Sequence, residues 1–364
     1  MRHEEIFKAY LRKRRNESVS DKTLADDKDQ IGRFLFFVGD KELDDKIVCD
    51  YQDYIRDYTF LKKGKKCHYS KYSIYQIETK IKKFLRFASP ESCESIKPKL
   101  PKNRKLPEDM LTEADIEALL NVCQTLRDKA LVAFLYESGC RKGELFAIKL
   151  QNVVFDNLGA VVTIPTGKTG ARRIRVVFAA SYLRQYIEAH PNKTSDSPLF
   201  CSTLAPYGRL SDSGLRGQLK EIAKRANVKK NVYPHLIRHS RCTQLAKHLT
   251  EQQMKVYLGW SPGSSSPQTY VHLAGQDIDP AILKMNGIEV EDTYVSSLRA
   301  GRCPRCKEIN PEASSYCGKC GMPLRDDSIK QLETEQDTFE AEFGQLIAKY
   351  PNILEALAKY KKND

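Results

Sequence analysis

The chain has 364 residues, with 60 Lys+Arg against 47 Asp+Glu and a formal net charge of +13. That length leaves room for two or three domains, and the basic balance favours a polyanionic partner while saying nothing about fold. No run approaches the roughly 18–20 apolar residues of a membrane span, and no apolar stretch resembling a secretory signal follows Met-Arg-His, so no membrane partner is expected.

The charge is uneven: nine acids and five bases lie between Asp326 and Asp364, which leaves the preceding body more basic than the whole. Of the 11 cysteines, seven are scattered and four form two Cys-x-x-Cys pairs. In a chain this large the pattern points to reduced thiols plus a metal site, and hence to a reducing cytoplasm rather than a disulfide framework.

In chain order, residues 1–89 read as a helical bundle. Ile6, Phe7, Tyr10 and Leu11 keep helical spacing, as do Leu43, Ile47, Tyr51, Tyr54 and Ile55, and then Ile74, Ile77, Ile81, Phe84 and Leu85. The basic clusters Arg12–Arg15 and Lys62, Lys63, Lys65 and Lys66 are either solvated faces or DNA contacts. Residues 90–107 are basic and proline-rich, with Pro98, Pro101 and Pro107, and read as a linker suited to lie along a phosphate backbone.

A second domain, 108–290, opens at Thr112, an expected N-cap with Asp115 three residues on. Apolar helices run through "DKALVAFLYESG"; "NVVF", "AVVTIP" and "RRIRVVF" then read as three short strands, with turns at 156–159 and 166–170. Helices resume from Ala180 to about Leu283. A small cysteine module, 300–324, and an acidic, helix-prone tail, 326–364, complete the chain. The expected fold class is mainly α with a small antiparallel sheet. In the tail, Leu332, Phe339, Phe343, Leu346, Ile347, Ile353, Leu354 and Leu357 lie near helical register, which suits docking on a neighbouring subunit or an ordinary intramolecular helix equally.

The stretch "NVYPHLIRHS" places His235 and His239 on one helical face, but Leu236 stands where a zinc hydrolase would carry its glutamate. An imidazole beside the guanidinium of Arg238 repels metal cations and suits a phosphate. A helix that merely carries His and Arg is the plain alternative. Three other boxes offer groups for the same phosphate: Arg141 in "ESGCRKGEL", Lys168 in "TGKTGARR", and Trp260 and Tyr270 in "LGWSPGSSSPQTYVHL".

Taken in order, Gly139-Cys140-Arg141-Lys142-Gly143-Glu144-Leu145, Lys168, His235-Leu236-Ile237-Arg238, Leu258-Gly259-Trp260 and Tyr270 resemble the boxes of the tyrosine recombinases, the phage-type and Xer-like integrases. Each box is weak alone; five in sequence are specific. The resemblance spans about 107–285, and the preceding bundle is similar to the family's core-binding domain in size, charge and helicity.

It implies a site-specific recombinase that acts on double-stranded DNA as a homotetramer on two synapsed sites, in the cytoplasm at the nucleoid. Tyr270 would be the nucleophile that forms a 3′-phosphotyrosyl ester. Arg141 and Arg238 would clamp the phosphate, and Lys168 would protonate the leaving 5′-oxygen. His235 would assist at the nucleophile or bind the phosphate, and Trp260 would donate one indole N–H.

Glu144 would orient its neighbours, and His239 would support the helix or pack inside, with a supporting role behind the site's contacting residues as the lesser reading. Tyr257 competes with Tyr270, but the Leu-Gly-Trp box sets the register. Arg172, Arg173 and Lys142 compete with Lys168. No catalytic metal or nucleotide cofactor is implied. Type IB topoisomerase chemistry and a catalytically inactive DNA-binding protein are the alternatives.

Cys303-x2-Cys306-x10-Cys317-x2-Cys320 has the spacing of two knuckles around one metal ion. It resembles a zinc ribbon with a structural, four-cysteine zinc; iron and disulfides are the other readings. Typical phage-type integrases lack this appendage, which points to archaeal relatives.

Overall fold

The computed structural model describes residues 3–350 except 63, 102–109, 166–169, 275–281, 284, 288–295, 297 and 313. The chain forms two compact units, Met1–Lys105 and Leu106–Asp364.

In the first unit, α1 (Glu4–Asn16), α2 (Asp21–Val38), α3 (Asp45–Asp57) and α4 (Lys71–Ala88) surround one apolar core. Side-chain caps fix where three of them start: Ser20 accepts from the backbone N–H of Thr23, Asp44 from Ile47 and Ser70 from Ser73. The stripes then meet, burying Ile31, Phe34, Val48, Ile81, Phe84 and Leu85 completely.

One part of this unit differs from the helical expectation. Strands β1 (Thr59–Lys62) and β2 (Lys65–His68) form an antiparallel hairpin that pairs Thr59 with His68 and Lys62 with Lys65. Gly64 turns it with φ +76, a conformation that suits glycine and ends helical periodicity. The lysine cluster, read as a helix face, therefore straddles a hairpin tip, with Lys65 and Lys66 exposed. Beyond α4 the chain stays on the bundle: Cys93 and Ile96 are buried in its core.

The second unit begins with the expected capping box of Thr112 and Asp115 on α5 (Glu113–Asn121). Helix α6 (Leu126–Ser138) is buried on nearly every side, as its lack of a polar face requires. Gly139 ends it in the left-handed conformation, and α7 (Lys142–Leu145) follows at once. Strands β3 (Val153–Asp156), β4 (Gly159–Ile164) and β5 (Arg172–Val176) form the antiparallel sheet in chain order. Helices α8 (Ala180–Glu188), α9 (Asp212–Arg225), α10 (Pro234–Leu245), α11 (Glu251–Leu258) and α12 (Ser266–Ala274) come next. Strands β6 (Ala300–Arg302) and β7 (Ile309–Pro311) build the cysteine module, and a last helix spans Asp326–Lys349. Among the described residues, no helix is long and apolar enough to cross a membrane.

One buried carboxylate joins α6 to the strand–helix turn after β5. Glu137 accepts from the backbone N–H groups of Val177 and Ala179 at 2.7 Å and of Phe178 at 3.1 Å. Burial pushes its carboxyl above the usual range, while the three donors pull the other way. Removing it would leave three buried N–H groups without an acceptor. Glu137→Ala should therefore cost about 3 kcal/mol or more, read as a lowered Tm by calorimetry; an unchanged Tm would show that water replaces the carboxylate without loss.

Candidate functional site

Helix α10 starts at Pro234, whose fixed φ suits the first helical position. It thereby places His235, Arg238 and His239 on successive turns facing α6, α11 and α12. Helix α11 starts with the Thr250–Gln253 capping box and ends at Gly259, which is left-handed with φ 64 and ψ 50. Its last turn packs Leu258 with Cys242, Leu245, Met254 and Tyr270, and Trp260 closes the cluster.

The C-terminus of α11 leaves carbonyls with no intrahelical donor. Three arginines from three different elements take them. Arg172 on β5 donates Nε to Tyr257 O at 3.0 Å, and Arg238 donates Nη2 to Leu258 O at 3.0 Å. Arg141, at the head of α7, donates Nη1 to Gly259 O at 2.8 Å. The negative end of the helix dipole thus faces three guanidinium groups.

Arg238 also donates Nη1 to Gly139 O at 2.5 Å and is only 3% exposed. Burial, with Arg141 adding to it, lowers its pKa, yet a guanidinium remains charged at neutral pH.

Glu144, 3% exposed, holds the other side. Its Oε1 accepts from Arg141 Nη1 at 2.7 Å, and its Oε2 accepts from the Arg141 backbone N–H at 2.7 Å and from Arg172 Nη2 at 2.9 Å. Burial alone would raise this carboxyl; the hydrogen bonds from Arg172 and Arg141 outweigh it and hold the group below the usual carboxylate range.

The tyrosine lies beside this cationic group. Tyr270 Oη is 2.6 Å from His239 Nδ1, and the His235 ring stands edge-on to His239 with centroids 4.4 Å apart. Trp260 stacks on Tyr270 at 5.8 Å between centroids, and the Arg238 guanidinium carbon lies 5.4 Å from the Trp260 ring. Trp260 therefore bridges the tyrosine and Arg238. Tyr270 itself is 6% exposed.

Of the residues singled out from sequence, Arg141, Glu144, His235, Arg238, His239, Trp260 and Tyr270 lie around the junction of α10, α11 and α12; Lys168 lies outside the described residues. Two outcomes depart from the leading expectation. His239, expected first as helix support and only second as a supporting site residue, lies at hydrogen-bond distance from the tyrosine hydroxyl. Arg172, noted only as a rival to Lys168, is the third arginine. A signal for it exists: with period 2 along β5, Arg172 shares the face of Ile174 and Val176, both buried, while Arg173 and Arg175 are exposed.

The four cysteines also converge. Their sulfur atoms lie within 4.8 Å of one another, with Cys303–Cys320 at 3.7 Å and Cys306–Cys317 at 3.5 Å. A tetrahedron of sulfurs about 2.3 Å from a zinc ion has edges of about 3.8 Å, so the quartet is compatible with zinc. Asn310, 1% exposed, donates Nδ2 to Cys317 Sγ at 3.4 Å, the kind of donor that orients a thiolate ligand.

The same Asn310 accepts from Gly318 N–H at 2.8 Å and from Ser181 of α8 at 3.3 Å, and Arg184 of α8 pairs with Glu308 at 3.0 Å. At Gly318 a Cβ would come within 2.4 Å of Gln185 Nε2 and 2.7 Å of Ser181 Oγ, so the module lies close against the side chains of α8.

A cluster of arginines beside a histidine-bonded tyrosine, in a mainly helical unit with a three-stranded antiparallel sheet, defines a class. The model of the phage integrase family matches residues 109–277. The tyrosine recombinase XerD of Staphylococcus aureus is 32% identical over 224 residues, covering 57% of this chain and 73% of that protein. The tyrosine recombinase XerA of Pyrococcus horikoshii is 28% identical over 235 residues, covering 63% and 79%. A lambda integrase tetramer bound to a Holliday junction shares the fold, with a TM-score of 0.56 at 15% identity, covering 75% of this chain and 78% of that one. The chain belongs to the tyrosine recombinase family.

Trp260 is the only tryptophan, so its fluorescence reports on this site alone. Tyr270→Ala and His239→Ala should each alter Trp260 emission, the first by removing the stack and the second by freeing the ring that stacks. An emission spectrum unchanged in both variants would contradict the packing.

Proposed function

We propose that the chain is a site-specific DNA recombinase that cleaves and rejoins strands through a covalent bond to Tyr270. The observation that carries this reading is Trp260, whose ring stacks on Tyr270 and also lies 5.4 Å from the Arg238 guanidinium carbon.

Tyr270 Oη forms a bond to phosphorus as the bond from phosphorus to the 5′-oxygen breaks. The phenol proton passes to His239, and the departing oxygen takes a proton from Lys168. His235 sits against His239 and supports that transfer or binds the phosphate. Arg141 and Arg238 meet the negative charge that builds on the non-bridging oxygens, and their anchoring to carbonyls removes the cost of reorganising them. Trp260 donates its indole N–H to a phosphate oxygen, and Glu144 orients the arginines. One phosphoester is exchanged for another, so the reverse attack by a 5′-hydroxyl rejoins the strand without ATP. No step uses a metal or a nucleotide cofactor.

Four copies on two synapsed duplexes, in the cytoplasm at the nucleoid, would complete the exchange. The family membership and the basic charge of the chain support double-stranded DNA as the partner. We also assign a structural zinc ion to Cys303, Cys306, Cys317 and Cys320, which the sulfur spacing and Asn310 support.

Incubated with nicked suicide duplexes from a candidate attachment region, the wild-type chain should give an adduct that survives SDS, and Tyr270→Phe should give none while binding the same DNA. An adduct in the variant would move the nucleophile elsewhere. Arg141→Ala and Arg238→Ala should slow adduct formation by about 10²–10³-fold. Purified protein should carry one zinc per chain by elemental analysis, and Cys317→Ser should lose it and lower the Tm; a metal-free wild type of equal Tm would remove the zinc assignment.

A further inference from the structure

Arg172 belongs to the site by geometry, although its side chain is only 9% exposed and cannot meet DNA broadly. Its planar fork ties the end of α11 to the first turn of α7, alongside the Arg141 bond to the Gly259 carbonyl. Nε holds the Tyr257 carbonyl at the end of α11, and Nη2 holds Glu144 in the first turn of α7. These are the two supports of the arginine pair. Arg141 is fixed between Glu144 and the Gly259 carbonyl, and Arg238 is fixed by the Leu258 carbonyl.

The fit is close on the helix side: a Cβ at Gly259 would lie 2.5 Å from Arg172 Nη1, an atom with no hydrogen-bond partner among the described residues. Its charge matters as well. Without it, Glu144 would keep a single cationic partner, and its full negative charge would bear on Arg141, drawing that guanidinium away from a phosphate.

We propose that Arg172 is the positioning residue of the recombinase site: it sets the register of α11's last turn against Glu144 and so aims Arg141 and Arg238 at one phosphate. The inference rests on the reading of the site given above. It requires arginine, because a lysine ammonium lacks the planar fork that spans a carbonyl and a carboxylate at once.

The test compares wild type, Arg172→Lys and Gly259→Ala on the same suicide duplex, measuring DNA affinity, Tm and the single-turnover rate of SDS-stable adduct formation. A second duplex carries a methylphosphonate at the scissile position, which removes the charge that the guanidiniums neutralise. Both variants should bind DNA within about 2-fold of wild type yet form adduct about 10²-fold more slowly, as a misplacement near 1 Å costs. Their deficit should shrink on the methylphosphonate duplex.

Gly259→Ala leaves Arg172 in the chain and displaces it, but at φ +64 it also strains the turn, so its rate is read against its Tm when Arg172→Lys folds poorly. Wild-type rates in both variants, a rate loss that only tracks lost affinity or Tm, or an equal deficit on both duplexes would each overturn the inference. Absence of an adduct with wild type as well would overturn the recombinase reading, and this inference with it.

Discussion

The end of one short helix organises the site. Every α-helix leaves its last carbonyls without partners, and most such ends are satisfied by solvent or a glycine-based turn. Here the left-handed Gly259 turns the chain so that the carbonyls of Tyr257, Leu258 and Gly259 face inward, where Arg172, Arg238 and Arg141 donate to them. Three buried or half-buried cations in close company would repel one another and lose hydration. The helix dipole, the three carbonyls and the Glu144 carboxylate together offset that cost. The arginines are consequently held in fixed orientations by the fold itself.

The parts around this helix end serve the same constraint. Gly139 ends α6 in the left-handed conformation and presents its carbonyl to Arg238 at 2.5 Å, while the next turn places Arg141 as the N-cap of α7. A Cβ on Gly139 would come within 3.0 Å of Leu258 Cδ2, so the end of α6 lies close against the last residue of α11. Tyr270 is held from two sides, by His239 at its hydroxyl and Trp260 on its ring face.

The cysteine module is built into the second unit, not tethered to it. Asn310 touches a cysteine sulfur through Nδ2 and α8 through Oδ1, so the geometry of the quartet and the seating of the module depend on the same buried side chain. The Arg184–Glu308 pair adds a half-buried ionic contact at the same face. Helix α8 in turn follows the turn whose N–H groups Glu137 binds, which links the module to the buried helix α6.

Much of this was readable from the sequence, and the reasons differ by element. Local rules are enough for the Thr112–Asp115 capping box, the three strands of the small sheet and the cysteine quartet, because caps, period-2 alternation and knuckle spacing act over a few residues. The five boxes are readable because their residue types and order survive without knowledge of their neighbours. The hairpin at 59–68 was missed because lysines mask the alternation on which a strand is recognised; only its pairing partner across Gly64 makes it a strand. Arg172 and His239 were misjudged for a related reason. Their partners, Tyr257 and Glu144 for the one and Tyr270 for the other, lie 28 to 85 residues away in the chain. The sequence by itself determined which chemical groups are present and which local elements carry them. Only the tertiary structure decided which arginine meets which carbonyl and which histidine meets the tyrosine, because those pairings depend on how α6, β5, α10, α11 and α12 pack, and packing joins residues that no local rule connects.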